Sequence, residues 1–174
     1  DEAVVAGLFL EFVGALAACH DEGLVVGSID QDHLYLCPPG LDGVPALRLS
    51  DAGLVEMVVL ASGPIGDALG SRFQQLLPAL AVVAPEVADG GSQTRASDIY
   101  ALCASIGAAL LGRSVHDASD PVLQRHAARE GPNEETATEL GKMAPNLAEP
   151  LLAGLSPDVA SREGDWQKPL TKKT

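Results

Sequence analysis

The chain has 174 residues and a mass of 17.9 kDa, 47% hydrophobic and 20% charged, which suits one domain burying roughly 70% of its unfolded surface and excludes a disordered tail. Eighteen glycines and 12 prolines exclude an uninterrupted coiled coil. A formal charge of -13, from 24 acidic and 11 basic residues, repels phosphate backbones and argues against nucleic acid as a partner.

The first segment, Ala3 to Cys19, is apolar apart from Glu11. It is shorter than the ~20 residues that span a bilayer, follows Asp1 and Glu2 rather than cations, and carries a charge midway, so it reads as a buried helix and not a membrane span. Val5, Leu8, Phe12, Leu16 and Cys19 recur at steps of three and four, and Gly23 stands at the C-cap. With no initiating Met, the chain reads as starting partway through a larger protein or as having been trimmed. Two short β-type runs, 33–37 and 46–50, flank the turn-rich stretch 38–45 and predict a hairpin. From Leu54 to Val83 the pattern is weak, giving an extended loop with one short helix near Ser71 to Leu77.

Ser97 to Leu111 is apolar nearly all round, with Ser97 and Asp98 as capping candidates and Gly112 as its stop. A helix without a polar face belongs at the centre of a domain. Residues 120–129 and 148–155 predict shorter helices, the acidic stretch 132–139 a solvated loop between them, and 163–174 a polar, frayed tail. Three widely spaced cysteines and four histidines fit no ligand spacing, so neither a disulfide framework nor a metal site is expected, and a reducing, cytoplasmic setting follows.

The order of these parts resembles the C-terminal lobe of the eukaryotic-type protein kinase fold. Leu16 to Leu36 looks like the family's long helix running into its catalytic loop and first hairpin strand. Leu47-Arg-Leu-Ser-Asp-Ala-Gly53 resembles the second strand and the Asp-Phe-Gly motif, and Ala84-Pro85-Glu86 stands at the Ala-Pro-Glu position. Ser97 to Leu102 followed by Leu110-Leu111-Gly112-Arg113 is similar to the central buried helix, and Ser156-Pro157-Asp158 with Arg162 to the late arginine that pairs with the Ala-Pro-Glu glutamate. Five such signatures in order are far more specific than any one tripeptide. The resemblance implies a mainly α domain with a small β-hairpin over residues 1–162, followed by the tail 163–174.

It also implies that most of the catalytic kit is absent, since phosphoryl transfer needs a phosphate cradle, a lysine, magnesium ligands and a base. Val26-Gly27-Ser28 replaces His-Arg-Asp, Asp30 replaces the catalytic-loop lysine, and His33 the asparagine for the second magnesium. Asp51 is the one metal ligand retained, and its Ala52-Gly53 context reads more simply as a turn. No G-x-S-x-G turn surrounds Ser28, so a hydrolase built on Ser28 with His20 or His33 is disfavoured. For Glu86, Asp98 and Arg162 the resemblance implies structural roles: Asp98 ties the central helix to the catalytic-loop backbone, and the other two form a buried pair.

The expectation is therefore a pseudokinase-like module, not an enzyme and without a cofactor, acting as a protein-interaction or scaffold element. Leu34, Tyr35 and Leu36 would form its interaction face toward another protein chain or the missing part of the same protein. Two alternatives stand beside it: a regulatory nucleotide-binding domain completed by an N-terminal lobe outside this chain, and a structural subunit of a large complex.

Overall fold

A computed structural model of the chain describes residues 2–27, 29–39, 45–50, 82–116 and 121–164. Those residues are mainly helical, with one two-stranded antiparallel sheet. Helix α1 spans Glu2–Asp21. Its buried stripe is Phe9, Phe12, Val13, Leu16 and His20; of the expected series Val5, Leu8, Phe12, Leu16 and Cys19, Phe12 and Leu16 lie in that stripe and the other three are half-buried beside it. The correction has a simple cause: in a helix apolar on most sides, spacing alone does not select the packed stripe. Gly23, at φ 78, ends the helix, with Gly23 N–H donating to the His20 carbonyl and Leu24 N–H to that of Cys19, the pattern that a left-handed glycine closes. The window Val4–Asp21 is, by length and composition, long and apolar enough to cross a membrane, so the expected shortfall in length is not found, and 28% of it is buried in the fold; the mostly buried core helix of a soluble protein and an N-terminal signal sequence meet the same criterion.

Strands β1 (Leu34–Cys37) and β2 (Ala46–Leu49) pair antiparallel, Leu34 opposite Leu49, Tyr35 opposite Arg48 and Leu36 opposite Leu47. Alternation along a strand then puts Leu34, Leu36, Leu47 and Leu49 on one face and Tyr35 with Arg48 on the other. Leu34, Leu47 and Leu49 pack on the core, and β2 lies against α1.

A single turn, α2 (Pro85–Ala88), precedes the central helix α3 (Arg95–Leu111), in which every residue from Ala96 to Gly107 is buried. The cap of α3 is Thr94, whose side chain accepts from Ser97 N–H while Ser97 Oγ accepts from Thr94 N–H, a reciprocal capping box. Ser97 thus caps the helix as expected, from the N3 position of the box, whereas Asp98 makes none of these cap bonds, which leaves its carboxylate available elsewhere. Around α3 stand α4 (Pro121–Glu130), α5 (Glu134–Met143), α6 (Ala148–Gly154) and α7 (Val159–Gly164), with α5, α6 and α7 packed directly on it. Where α6 crosses α3, a Cβ on Gly154 would collide with Cys103 Sγ, so the two helices meet at van der Waals distance through a glycine.

Helix α5 corrects the expected acidic loop at 132–139. Asn133 caps it by accepting from Thr136 N–H at 2.8 Å, Glu134 and Glu135 fall in its first turn and Lys142 in its last. Those charges oppose the helix dipole favourably, so the acidity is a helix start. Likewise, Glu163 and Gly164 close α7 and do not begin the tail. The expected long loop and short helix at 54–81, and the residues Ser28 and Asp51, lie outside the described residues.

Candidate functional site

The segment between α1 and β1 is held by polar side chains of α3 one after another. Asp98, 1% exposed in the first turn of α3, accepts from the backbone N–H of Val26 and of Gly27, each at 2.8 Å, and meets His20 Nε2 at 2.9 Å. Gly27 adopts φ 87 to present its N–H there, a conformation strained for any residue with a Cβ. Two turns on, Ser105 Oγ donates to the Ile29 carbonyl at 3.0 Å and its own carbonyl accepts from Gln31 Nε2 at 3.1 Å. The sequence reading missed His20 as part of this node. Its only signal was a histidine one turn before a helix-stopping glycine.

Asp30, 3% exposed, turns inward. Its Oδ1 accepts from Asp32 N–H at 2.9 Å and His33 N–H at 3.1 Å, and both carboxylate oxygens lie 2.7 Å from His33 Nδ1. His33 therefore donates from Nδ1, and in the neutral ring Nε2 is left as an acceptor. The two residues that stand at the kinase lysine and asparagine positions are thus committed to each other.

Arg162, fully buried, donates from one terminal nitrogen to Glu86 Oε2 at 2.7 Å and from the other to the Ala96 carbonyl at 3.0 Å, and its guanidinium lies 5.3 Å from the centre of the Tyr100 ring. Late helix α7 is thereby fastened to α2 and to the start of α3. Tyr100 OH pairs with His116 Nε2 at 2.5 Å. Burial raises the Tyr100 phenol far above its usual range, with Arg162 opposing and Glu86 reinforcing the shift. Burial also lowers the His116 imidazole to about 4 and raises the Cys103 thiol to about 12. Among the described residues no group of three or more His, Cys, Asp and Glu side chains is placed to hold a metal ion.

At the hairpin, Tyr35 is 54% and Leu36 63% exposed, while Leu34 is half-buried. The three do not share one surface: Leu34 and Leu36 border a groove of about 520 Å³ between the hairpin, the second half of α3 and Val115, whereas Tyr35 faces the opposite side beside Arg48. Asp30, Gln31 and Asp32 line one stretch of that groove and Arg113 another.

No protein-family model matches the chain. Over 105 residues it is 32% identical to thiazole synthase of Zymomonas mobilis subsp. mobilis, a match covering 59% of this chain and 38% of that protein, so the aligned part is little more than a third of the relative's length. This similarity corrects the expectation that the chain is not an enzyme: the relative is one by name, and the altered residues Ser28, Asp30 and His33 bear only on kinase chemistry.

Proposed function

We propose that the chain is a lobe similar to the helical half of a protein kinase and that it works as a protein-interaction element, with the hairpin as its docking side. The observation that carries the reading is the Asp98 node. One buried carboxylate gathers His20, Val26 and Gly27 across more than seventy residues of sequence, the role that the resemblance assigns to it. Arg162 on Glu86 supports the same arrangement from the other end of the domain. Exposed Tyr35 supports docking, because aromatic side chains at the centre of an interface carry a disproportionate share of its binding energy, and exposed Leu36 adds apolar surface to the same hairpin.

The test is affinity capture with mass spectrometry, run in parallel on the wild-type chain and on Tyr35→Asp and Leu36→Asp variants, followed by titration of any differential partner against the purified proteins. A partner bound by the wild type and lost in either variant supports the reading. Identical capture by all three refutes it.

A second reading rests on the thiazole synthase similarity: the chain is a portion of an enzyme, in which His33, oriented by Asp30, takes up a proton at Nε2 from a bound substrate. A strain lacking thiazole synthase, grown without added thiazole, tests it. Rescue by the chain and its loss on His33→Ala supports this reading, and failure of rescue refutes it.

A further inference from the structure

The groove beneath the hairpin deepens the interaction reading, on which the following rests, by specifying a partner. Its walls are apolar: Leu34, Leu36 and Leu47 on the hairpin side, and Ile106, Ala109 and Val115 on the other. At about 520 Å³ it lies within the range of ligand-binding clefts, and Leu36 at its rim is 63% exposed.

The charges around it are unequal in what they have left to offer. Arg113 is neutralised by Glu139 at 2.7 Å. Asp30 spends its carboxylate on His33 and on the turn. Asp32 is exposed and lines the groove, and its carboxylate takes part in no bond among the described residues. An apolar trough with an exposed acidic residue in its lining, on a chain carrying a charge of -13, is complementary to a segment that offers apolar side chains on one face and cations beside them.

We propose that this groove seats a cationic amphipathic helix of a partner protein, its apolar stripe against Leu34, Leu36 and Leu47 and a lysine or arginine on Asp32. Helix-in-groove recognition works through anchors at i, i+3, i+4 and i+7, and the charge complement speeds the encounter.

The probe is a fluorescein-labelled 14-residue helical peptide of leucine and lysine, compared with a peptide of the same charge in which serine replaces leucine, both read by fluorescence anisotropy against the purified chain. Ala109→Trp fills the groove from an exposed position of α3, and Asp32→Lys reverses its free charge. Each is expected to weaken the leucine–lysine peptide at least tenfold. Met143→Asp, at an exposed position that does not line the groove, should leave binding unchanged, and the serine peptide should bind at least tenfold more weakly than the leucine peptide. Equal affinity for the two peptides would mean general attraction to an acidic surface and would overturn the proposal, as would unchanged binding by Ala109→Trp with native circular dichroism. If Ala109→Trp does not fold, Leu36→Asp takes its place, with the same outcomes. Sedimentation that shows a wild-type dimer and a monomeric Ala109→Trp would assign the groove to a second copy and also overturn it. Peptide binding and partner capture are read separately, so the broader reading can fail in capture while the groove still binds, and the reverse.

Discussion

Glu86→Ala would strand the most deeply buried charge described in the fold. Arg162 has no exposed surface, and its guanidinium is met by the Glu86 carboxylate at 2.7 Å, the Ala96 carbonyl at 3.0 Å and the Tyr100 ring. Removing the carboxylate leaves a cation with one carbonyl and one aromatic face, and breaking a buried pair in this way costs about 3–5 kcal/mol. The Glu86 side chain is itself 25% exposed, so water can enter the vacated space and the lower end, about 3 kcal/mol, is expected. For a chain of this size 1 kcal/mol moves the melting temperature by about 2–4 °C, so the fall should be roughly 6–12 °C. Glu135→Ala is the control: an exposed carboxylate in the first turn of α5 contributes about 0.3–1 kcal/mol through the helix dipole. Both variants are read by circular dichroism at 222 nm during heating. A double variant, Glu86→Ala with Arg162→Met, removes the stranded charge and should recover part of the loss, because an apolar replacement of a buried pair is often close to neutral. Equal small shifts for Glu86→Ala and Glu135→Ala, or strictly additive losses in the double variant, would refute the reasoning.

His116, lowered to about 4 from 6.5 by burial, binds its proton later than the unfolded chain does, so its effect is absent above pH 6.5 and reduces stability by up to about 1.4 kcal/mol per unit as the pH falls toward 4. His116→Gln should flatten that slope in urea midpoints measured at pH 7, 6 and 5, and an unchanged slope would contradict the assignment. Asp98→Ala leaves the half-buried Val26 and Gly27 N–H groups and the buried His20 ring without their acceptor, at about 1–3 kcal/mol for the buried ring and less for each amide, which water can reach; hydrogen exchange should show both amides losing protection, and retained protection would exclude the node. Gly154→Ala drives a methyl into Cys103 and should cost about 1–3 kcal/mol. Gly141→Ala, at a helical site with open space, should gain about 0.5–1 kcal/mol, and matching denaturation midpoints for the two would argue against the close helix crossing.

Much of the element order could be read from the residues because it rests on local chemistry. Gly23 and Gly112 stop their helices in the left-handed conformation that glycine alone enters cheaply, and the β-type runs flank a proline- and glycine-rich turn. What escaped depends on context. Glu134 and Glu135 look like solvated charge until Asn133 is recognised as a cap, and the packed stripe of α1 is only partly visible in a helix apolar on most sides. At the site, Asp30 was legible as a charge reversal but not as the partner of His33, since a spacing of three residues in a turn does not say which way a carboxylate points. His20 was the least legible: its partner Asp98 lies 78 positions away, and one sequence holds no signal for so distant a pair.

The polar ties of α3 also bear on how the chain acquires its shape during synthesis. The bonds from His20 to Asp98, from Ile29 to Ser105 and from Ala96 to Arg162 join residues separated by 78, 76 and 66 positions. Helix α1 and the hairpin therefore emerge from the ribosome well before the segment that anchors them. At about 5–20 residues per second, the 78-residue interval from His20 to Asp98 lasts roughly 4–16 s. Throughout that interval the apolar stripe Phe9–Phe12–Val13–Leu16 has no α3 to pack against. This nascent half is where a chaperone would find its target, and variants that weaken α3 should lower soluble yield before they lower the stability of the finished fold.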